Sequence, residues 1–350
     1  MVRISFCIPT YNRADLIRQT LDSILSQGDP NVEVVVADNA STDNTREVIE
    51  AYNNPHMTYF CWDKNQGPER NLFKAVQLAT GDYCWLMGSD DCLEPEALAH
   101  VRRLLEENPG LSGISTNSWN YDRTFSQKQP SRPPFDLRSD RVFRNAEACV
   151  ATLGAWLPYF SAQIVERDRW NDAARQVDIS RVGLGTHTVT HLEVLGHLIQ
   201  NHPYWLYCHR RCVGYRGGND AYEKEFGPIN RMKVNIIGFD TSVRNVFRSG
   251  RVPRQVMGRV LRHYVHYDIL GAKLHRQPLS FYMQAFAVGW NYVRQNPCFW
   301  IYVVPIMCVP SICLRWARWI YRATLKRWRI RQLRRGACSR GMACTRRGEV

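Results

Sequence analysis

What the chain lacks narrows its reading before any motif is considered. The segment after its first apolar run, Pro9-Thr10-Tyr11-Asn12-Arg13, holds no glycine, so the Gly-x-Gly-x-x-Gly turn of a dinucleotide-binding dehydrogenase is missing. No Gly-x4-Gly-Lys-Ser/Thr stretch occurs, which excludes a P-loop NTPase. There is no Gly-x-y period, no heptad run and no repeat at roughly 20–50 residues, so collagen, coiled-coil and solenoid architectures are excluded. The first apolar stretch runs into polar Thr10–Asp15; it is too short, and lacks the cleavage site, for a signal peptide. The twelve cysteines are therefore expected to stay reduced. Cys208-x3-Cys212 with His209 is the one tight cluster, and it has no second Cys/His pair at zinc-finger spacing, so it reads as plain thiols. Acidic residues nearly vanish at the end: residues 315–350 hold 12 Lys+Arg against one Glu, a net +11 of the chain's +14. The basic balance thus belongs to a tail and not to the body, which argues against a nucleic-acid binder.

What is present has the size for two or three units among 350 residues. Apolar runs alternate with helical spacing through the first third. Strands are expected over Ile4–Ile8, Val32–Ala37, Met57–Trp62 and Tyr83–Met87, and helices over Leu16–Leu25, Thr45–Tyr52, Arg70–Ala79 and Leu93–Glu107. This alternation predicts an α/β fold, a Rossmann-like, mostly parallel sheet with flanking helices. From about residue 118 the pattern breaks. Tyr121–Arg144 reads as a long loop, Glu147–Phe160 and Val189–Gln200 as helices, and residues 230–295 as a mainly helical region. The expected division is 1–117, 118–230, 231–297 and 298–350. The last part begins with Cys298–Leu314, uncharged but interrupted by Pro305 and Pro310, and continues into Arg-Trp-Ala-Arg-Trp-Ile-Tyr-Arg at 315–322. It reads as a membrane-associating tail, lying on an anionic surface or kinked into it more readily than crossing it, with a buried helix plus solvated basic tail as the alternative.

Three stretches carry chemistry: Cys7-Ile-Pro-Thr-Tyr-Asn-Arg13 followed by Asp38-Asn-Ala-Ser-Thr-Asp-Asn-Thr45; Asn65-Gln-Gly-Pro-Glu-Arg-Asn71; and Gly81-Asp-Tyr-Cys-Trp-Leu-Met-Gly-Ser-Asp-Asp-Cys-Leu-Glu-Pro95. Each follows an expected strand, at the edge where open α/β sheets bind ligands. In order and spacing they resemble the family 2 glycosyltransferases, inverting enzymes of the GT-A fold, over about residues 3–115. The form of the third stretch, with Tyr215-Arg-Gly-Gly-Asn-Asp220, is similar to the abequosyltransferase-like branch of O-antigen assembly.

The resemblance implies a nucleotide-sugar donor, with Asp38 on the base and Pro9, Thr10, Tyr11, Arg13, Asn65, Gly67, Arg70 and Asp90 around the nucleotide. A guanidinium at the start of a helix, as at Arg70, suits phosphate. Asp90 and Asp91 are expected to hold Mg²⁺ or Mn²⁺, which would stabilise the departing diphosphate. Where the family commonly has Asp-x-Asp-Asp this chain has Gly88-Ser-Asp-Asp91, one carboxylate fewer; an acidic turn capping a helix is the alternative. The Glu-Asp pair that supplies the family's general base is replaced by Thr190-His191. His191 becomes the candidate base, with His187 and Glu193 as competitors. Arg216, Asn219 and Asp220 are expected to meet acceptor or phosphate. The implied reaction adds one sugar, with inversion, to a lipid-linked or growing glycan at the cytoplasmic face of a membrane. A silent relative that binds nucleotide sugar without turnover is the other reading.

Overall fold

The computed structural model describes residues 1–179, 189–218, 227–248, 250–314 and 316. Its centre is one sheet. β1 (Ile4–Thr10), β2 (Val32–Asp38), β3 (Met57–Cys61) and β4 (Tyr83–Leu86) are linked by helices α1 (Ala14–Leu25), α2 (Thr45–Glu50) and α3 (Pro68–Leu78). These four strands are mutually parallel, in the spatial order β3-β2-β1-β4. After β5 (Cys92–Leu93) and α4 (Ala97–Glu107) comes β6 (Gly113–Tyr121), followed by the three-residue strands β7 (Lys128–Pro130) and β8 (Arg141–Phe143). Then follow α5 (Ala146–Leu153), β9 (Gln163–Glu166), α6 (Arg167–Ala174), α7 (Thr190–Asn201) and β10 (Trp205–Arg216). β9 runs antiparallel between β4 and β6, and β6 pairs parallel with β10, so the sheet is mixed but mostly parallel in its long pairings. Because β6 crosses residue 117, the two expected halves share this single sheet.

Strand alternation sorts side chains onto two covered faces. Ile4, Phe6 and Ile8 of β1 join Ile17 and Leu21 of α1 and Val101 and Leu105 of α4 in one core. Cys7 points the other way, with Leu72 and Val76 of α3 and Leu195 and Leu198 of α7. That second core continues into the C-terminal helices: α8 (Pro228–Lys233), α9 (Phe239–Val246), α10 (Arg251–Val260), α11 (His266–Leu274), α12 (Leu279–Val293) and α13 (Val304–Cys308).

Three sequence expectations are corrected. The helix expected from Leu93 starts at Ala97, because Glu96 adopts a left-handed φ of 59° and Cys92–Leu93 pairs with β10. The loop expected over Tyr121–Arg144 contains β7 and β8; their short edge pairings leave no periodic signal among its prolines and serines. The helix expected over Glu147–Phe160 is Ala146–Leu153, started by the Asn145 side chain accepting from the Ala148 N–H (2.8 Å). In the apolar segment, a π-helical turn at Phe299–Val303 leads into α13, and Val309 turns extended before Pro310. Among the described residues no helix is long and apolar enough to cross a membrane.

Candidate active site

β1 lies between β2 and β4, so the chain leaves it on one side and returns on the other. Such a reversal opens a crevice beyond the strands' carboxyl ends, and Thr10, Asp38 and the segment Met87–Asp91 all sit there. Side-chain amides lash this edge together. Asn71 Nδ2 donates to the carbonyls of Ala37 (2.8 Å) and Thr10 (3.2 Å), and its Oδ1 accepts from Trp62 Nε1 (3.1 Å). Asn39 Nδ2 donates to Asn65 Oδ1 (2.6 Å), which also accepts from the Gly67 N–H (2.9 Å). Gly67 has φ +86°, a conformation that L side chains rarely adopt, and this turn delivers Pro68 as the first residue of α3. Arg70 therefore stands in the first turn of a helix. Its Nη2 donates to the Ile179 carbonyl (3.3 Å), while its Nε is buried without an acceptor among the described residues.

Asp38 is buried and accepts three hydrogen bonds: Ser41 N–H (2.9 Å) and Oγ (2.6 Å) at one oxygen, Tyr59 Oη (2.8 Å) at the other. Tyr11 at the lip of the crevice is exposed, Pro9 and Arg13 are half-buried, and the buried Thr10 hydroxyl has no partner among the described residues. The Arg13 N–H donates to Thr45 Oγ1 (3.0 Å), fastening the loop to α2.

The acidic corner is asymmetric. Asp90 is partly exposed, whereas Asp91 is buried (4% exposed) and gripped on all sides. Asp91 Oδ2 accepts from Ser161 Oγ (2.6 Å) and Tyr159 Oη (3.1 Å), Oδ1 accepts from the Arg216 N–H (3.0 Å), and its carbonyl accepts from Thr20 Oγ1 (2.7 Å). Burial and then the neighbouring Asp90 charge push the Asp91 carboxyl up to about 7, against the pull of those hydrogen bonds. Gly88 explains the absent third carboxylate. A Cβ there would lie 3.1 Å from Ser161 Oγ and 3.2–3.3 Å from oxygens of Asp90 and Asp91, so the space is already filled. Ser161 takes part instead, accepting from the Gly88 N–H (2.9 Å) while donating to Asp91. One oxygen of each carboxylate lies within 3.3 Å of the place a Gly88 Cβ would take, and oxygen donors of this kind suit a hard divalent cation. Three of the roughly four lone-pair sites on Asp91 are used within the protein.

Arg216 differs from its expected role at acceptor or phosphate. It is buried, and its Nε donates to the Asp90 carbonyl (2.9 Å), Nη1 to the Arg123 carbonyl (2.7 Å) and Nη2 to Gln19 Oε1 (2.5 Å). The guanidinium is a clamp on the acidic loop. His191 is likewise engaged: Nδ1 lies 2.8 Å from Glu69 Oε1, Nε2 lies 3.0 Å from the Pro158 carbonyl, and its backbone N–H donates to Glu69 Oε2 (3.0 Å). A carbonyl and a carboxylate only accept, so both ring nitrogens serve as donors and the ring has no lone pair left for a hydroxyl proton. Burial pulls its pKa down, but the Glu69 charge and hydrogen bonds to Glu69 and Pro158 lift it above the ordinary value. Glu193 accepts from Asn245 Nδ2 of α9 (2.9 Å), on the helical layer. His187, Asn219 and Asp220 lie outside the described residues.

Sequence reading missed Asn39, Tyr59, Glu69, Tyr159 and Ser161. Glu69 and Asn39 stand inside quoted motifs, next to Arg70 and Asp38, and were findable by position. Tyr159 falls in the segment read as helix and Ser161 just beyond it, and only the antiparallel return of β9 beside β4 brings them to Asp91.

Comparison with known proteins gives the family and the fold. Residues 5–156 match the model of glycosyl transferase family 2. The chain is 32% identical over 253 residues to abequosyltransferase RfbV of Salmonella typhimurium, covering 67% of this chain and 73% of that protein. It is 33% identical over 189 residues to the succinoglycan biosynthesis protein ExoO of Rhizobium meliloti, covering 49% and 52%. Among solved structures, S. aureus TarS residues 1–349 in complex with UDP-GlcNAc superposes with a TM-score of 0.61 at 16% identity, covering 84% of this chain and 82% of that one. That likeness gives the fold as GT-A. With the motifs, the sheet edge and the similarity to RfbV in agreement, the chain belongs to glycosyl transferase family 2.

Proposed function

We propose that this glycosyltransferase moves a single sugar, with inversion, from a nucleotide-sugar donor to a lipid-linked or growing glycan in the assembly of a bacterial surface polysaccharide of O-antigen type. The reading is supported by sequence order on the sheet: Asp38 ends β2, Arg70 stands in the first turn of α3 after β3, and Asp90–Asp91 follow β4, all toward the sheet's carboxyl edge. A nucleoside diphosphate needs contacts of those kinds: a carboxylate for base or ribose, a cation for phosphate and a metal-holding acid. Pro9, Thr10, Tyr11, Arg13, Asn65 and Gly67 form or brace its walls. Mg²⁺ or Mn²⁺ held by Asp90 and Asp91 would supply charge stabilisation for the leaving diphosphate. The protein's own part is to fix that corner: Ser161, Tyr159 and the Arg216 N–H hold the Asp91 carboxylate, while Thr20 and the Arg216 guanidinium hold the backbone carbonyls of Asp91 and Asp90, before any ligand arrives.

His191 acts in this reading as a positioning residue. Through Glu69 it touches the first turn of α3, which carries Arg70, and through the Pro158 carbonyl it braces the segment whose Tyr159 and Ser161 hold Asp91. Donor helix and acidic corner are thereby set relative to each other. The membrane surface enters through the helical layer. Phe286 stacks on Trp290 (5.9 Å), Trp290 meets Trp300 edge-on (6.0 Å), and all three rings are more than a third exposed beside exposed Met283 and Ile301. Aromatic rings beside a run of Lys and Arg suit the headgroup layer of anionic lipid. A thermal-shift screen against UDP-, GDP-, CDP- and dTDP-sugars with Mn²⁺ tests the donor. The true donor at 100 times its Kd adds about 2.7 kcal/mol to stability; no shift with any of them would refute the reading.

A further inference from the structure

The Cys208–Cys212 pair, dismissed in sequence for want of further ligands at zinc-finger spacing, acquires them in the fold. β10 carries two register shifts against β6, between Cys208 and Arg211 and between Arg211 and Val213. In a regular strand, residues four apart are about 13 Å from each other. The bulged stretch instead lets both buried thiols donate to one carbonyl, that of Arg210, at 3.9 Å from Cys208 Sγ and 3.6 Å from Cys212 Sγ. Bulges of this kind re-aim side chains and are retained where that matters. His100 of α4 brings Nε2 to 3.4 Å from Cys208 Sγ. Asp140, in the loop before β8, is fixed by accepting the His209 N–H (2.7 Å). Ligand atoms of His100, Asp140 and Cys208 all lie within 4.8 Å of one another.

We propose that His100, Asp140 and Cys208 bind a zinc ion, with the adjacent Cys212 thiolate as fourth ligand. The donor set is mixed N/O/S, the kind tetrahedral zinc accepts, and metal–ligand bonds of about 2.0–2.3 Å put such donors roughly 3.3–3.8 Å apart. His100, Asp140 and Cys208 need only a small contraction, and Cys212, which shares the Arg210 carbonyl with Cys208, closes the fourth position. Two thiols lose their protons on binding, which go to solvent. Two thiolates and one carboxylate around Zn²⁺ leave one negative charge over, and Arg103 and Arg210, both acting electrostatically on His100, offset it. Arg103 Nη2 lies 3.1 Å from His100 Nδ1 while its Nε lies 3.7 Å from Glu107; with Nε2 on the metal, Nδ1 carries the proton, and Arg103 gives up that one contact while keeping Glu107. The ion would clip α4, the loop before β8 and the bulged stretch of β10 together. It is separate from the donor-site cation in both ligands and chemistry, and it does not depend on the proposed function.

The test uses the full chain, stripped with EDTA and titrated with Co²⁺. A bound cobalt with thiolate ligands gives a near-ultraviolet charge-transfer band and strong visible bands, both displaced by Zn²⁺. We expect Cys208→Ser to abolish the charge-transfer intensity or cut it by at least half, and His100→Ala, on a half-exposed helix face, to weaken Co²⁺ binding by about 10–100-fold. The Asp90→Asn/Asp91→Asn variant should keep the spectrum unchanged. Absence of a thiolate band in the wild-type chain, or full cobalt affinity in His100→Ala, overturns the site. So does loss of the band in the Asp90/Asp91 variant, which would put the ion at the acidic corner.

Discussion

The sheet's carboxyl edge and the C-terminal helical layer are built by opposite strategies. At the edge, buried polar side chains are satisfied by one another over short loops: Asn39 with Asn65, Asp38 with Ser41 and Tyr59, Asp91 with Ser161 and Arg216. A network so closed has one arrangement, and a ligand entering it finds its contacts already aimed. The helical layer has few such bonds. It turns Val252, Val256 and Val260 of α10 inward and leaves Leu279, Met283, Trp290, Trp300 and Ile301 facing out. Monomeric proteins seldom expose so much clustered apolar surface without a partner for it. In the reading proposed above, the first region meets a small polar ligand and the second a broad apolar boundary.

Breaking the edge should have the largest effect. Asp90→Asn with Asp91→Asn removes the cation's ligands while keeping shape, and transfer is expected to fall by about 10³-fold or more, with metal-dependent donor binding lost in calorimetry. Normal donor affinity with Mn²⁺ in that variant would end the assignment. Next in size is Arg70→Ala. Loss of a charge-assisted contact of about 1.5–3 kcal/mol weakens a nucleoside diphosphate by roughly 10–150-fold, whereas an unchanged titration would leave the buried Nε with only a structural reason. Breaking the helical layer should spare chemistry on a soluble acceptor. Trp290→Glu with Trp300→Glu should reduce cosedimentation with anionic vesicles by at least about tenfold, and removal of residues 298–350 should move the protein to the soluble fraction. Equal binding by these variants would separate the aromatic face from any membrane.

The same contrast decides what the sequence disclosed. Strand–helix alternation over residues 4–107 was legible because β1, β2 and β4 bury both faces and each turn uses a polar motif at its carboxyl end. The motif residues Asp38, Asn65, Arg70, Asp90 and Asp91 were therefore findable, and the structure gathers them along one edge. Partners supplied by antiparallel returns were not. Tyr159 and Ser161 reach Asp91 only because β9 runs back beside β4, and His100 reaches Cys208 only because α4 packs under β10. Neither relation has a spacing. The direction of Arg216 was not legible: nothing local distinguishes a guanidinium facing a ligand from one that donates to the Asp90 carbonyl.

The smallest expected effect is the most discriminating, because it concerns the sign of a pH dependence. A base at His191 must be neutral, so activity would rise as pH increases through its pKa. A positioning imidazolium gives the reverse. Its pKa in the fold is raised above about 6.5, so the pairing with Glu69 is fully present below that pH and lost as pH climbs past the folded value. The wild-type melting temperature, minus that of Glu69→Gln, should therefore be largest near pH 6 and shrink toward pH 9, by about 1–2 °C if the pairing contributes about 1 kcal/mol. His191→Gln should flatten the difference and, if the ring only holds the Pro158 segment, should alter donor KM more than kcat. A kcat that rises with pH in the wild type and loses that rise in His191→Gln would instead return the ring to the reacting centre, with its bonds to Glu69 and Pro158 broken in the substrate complex.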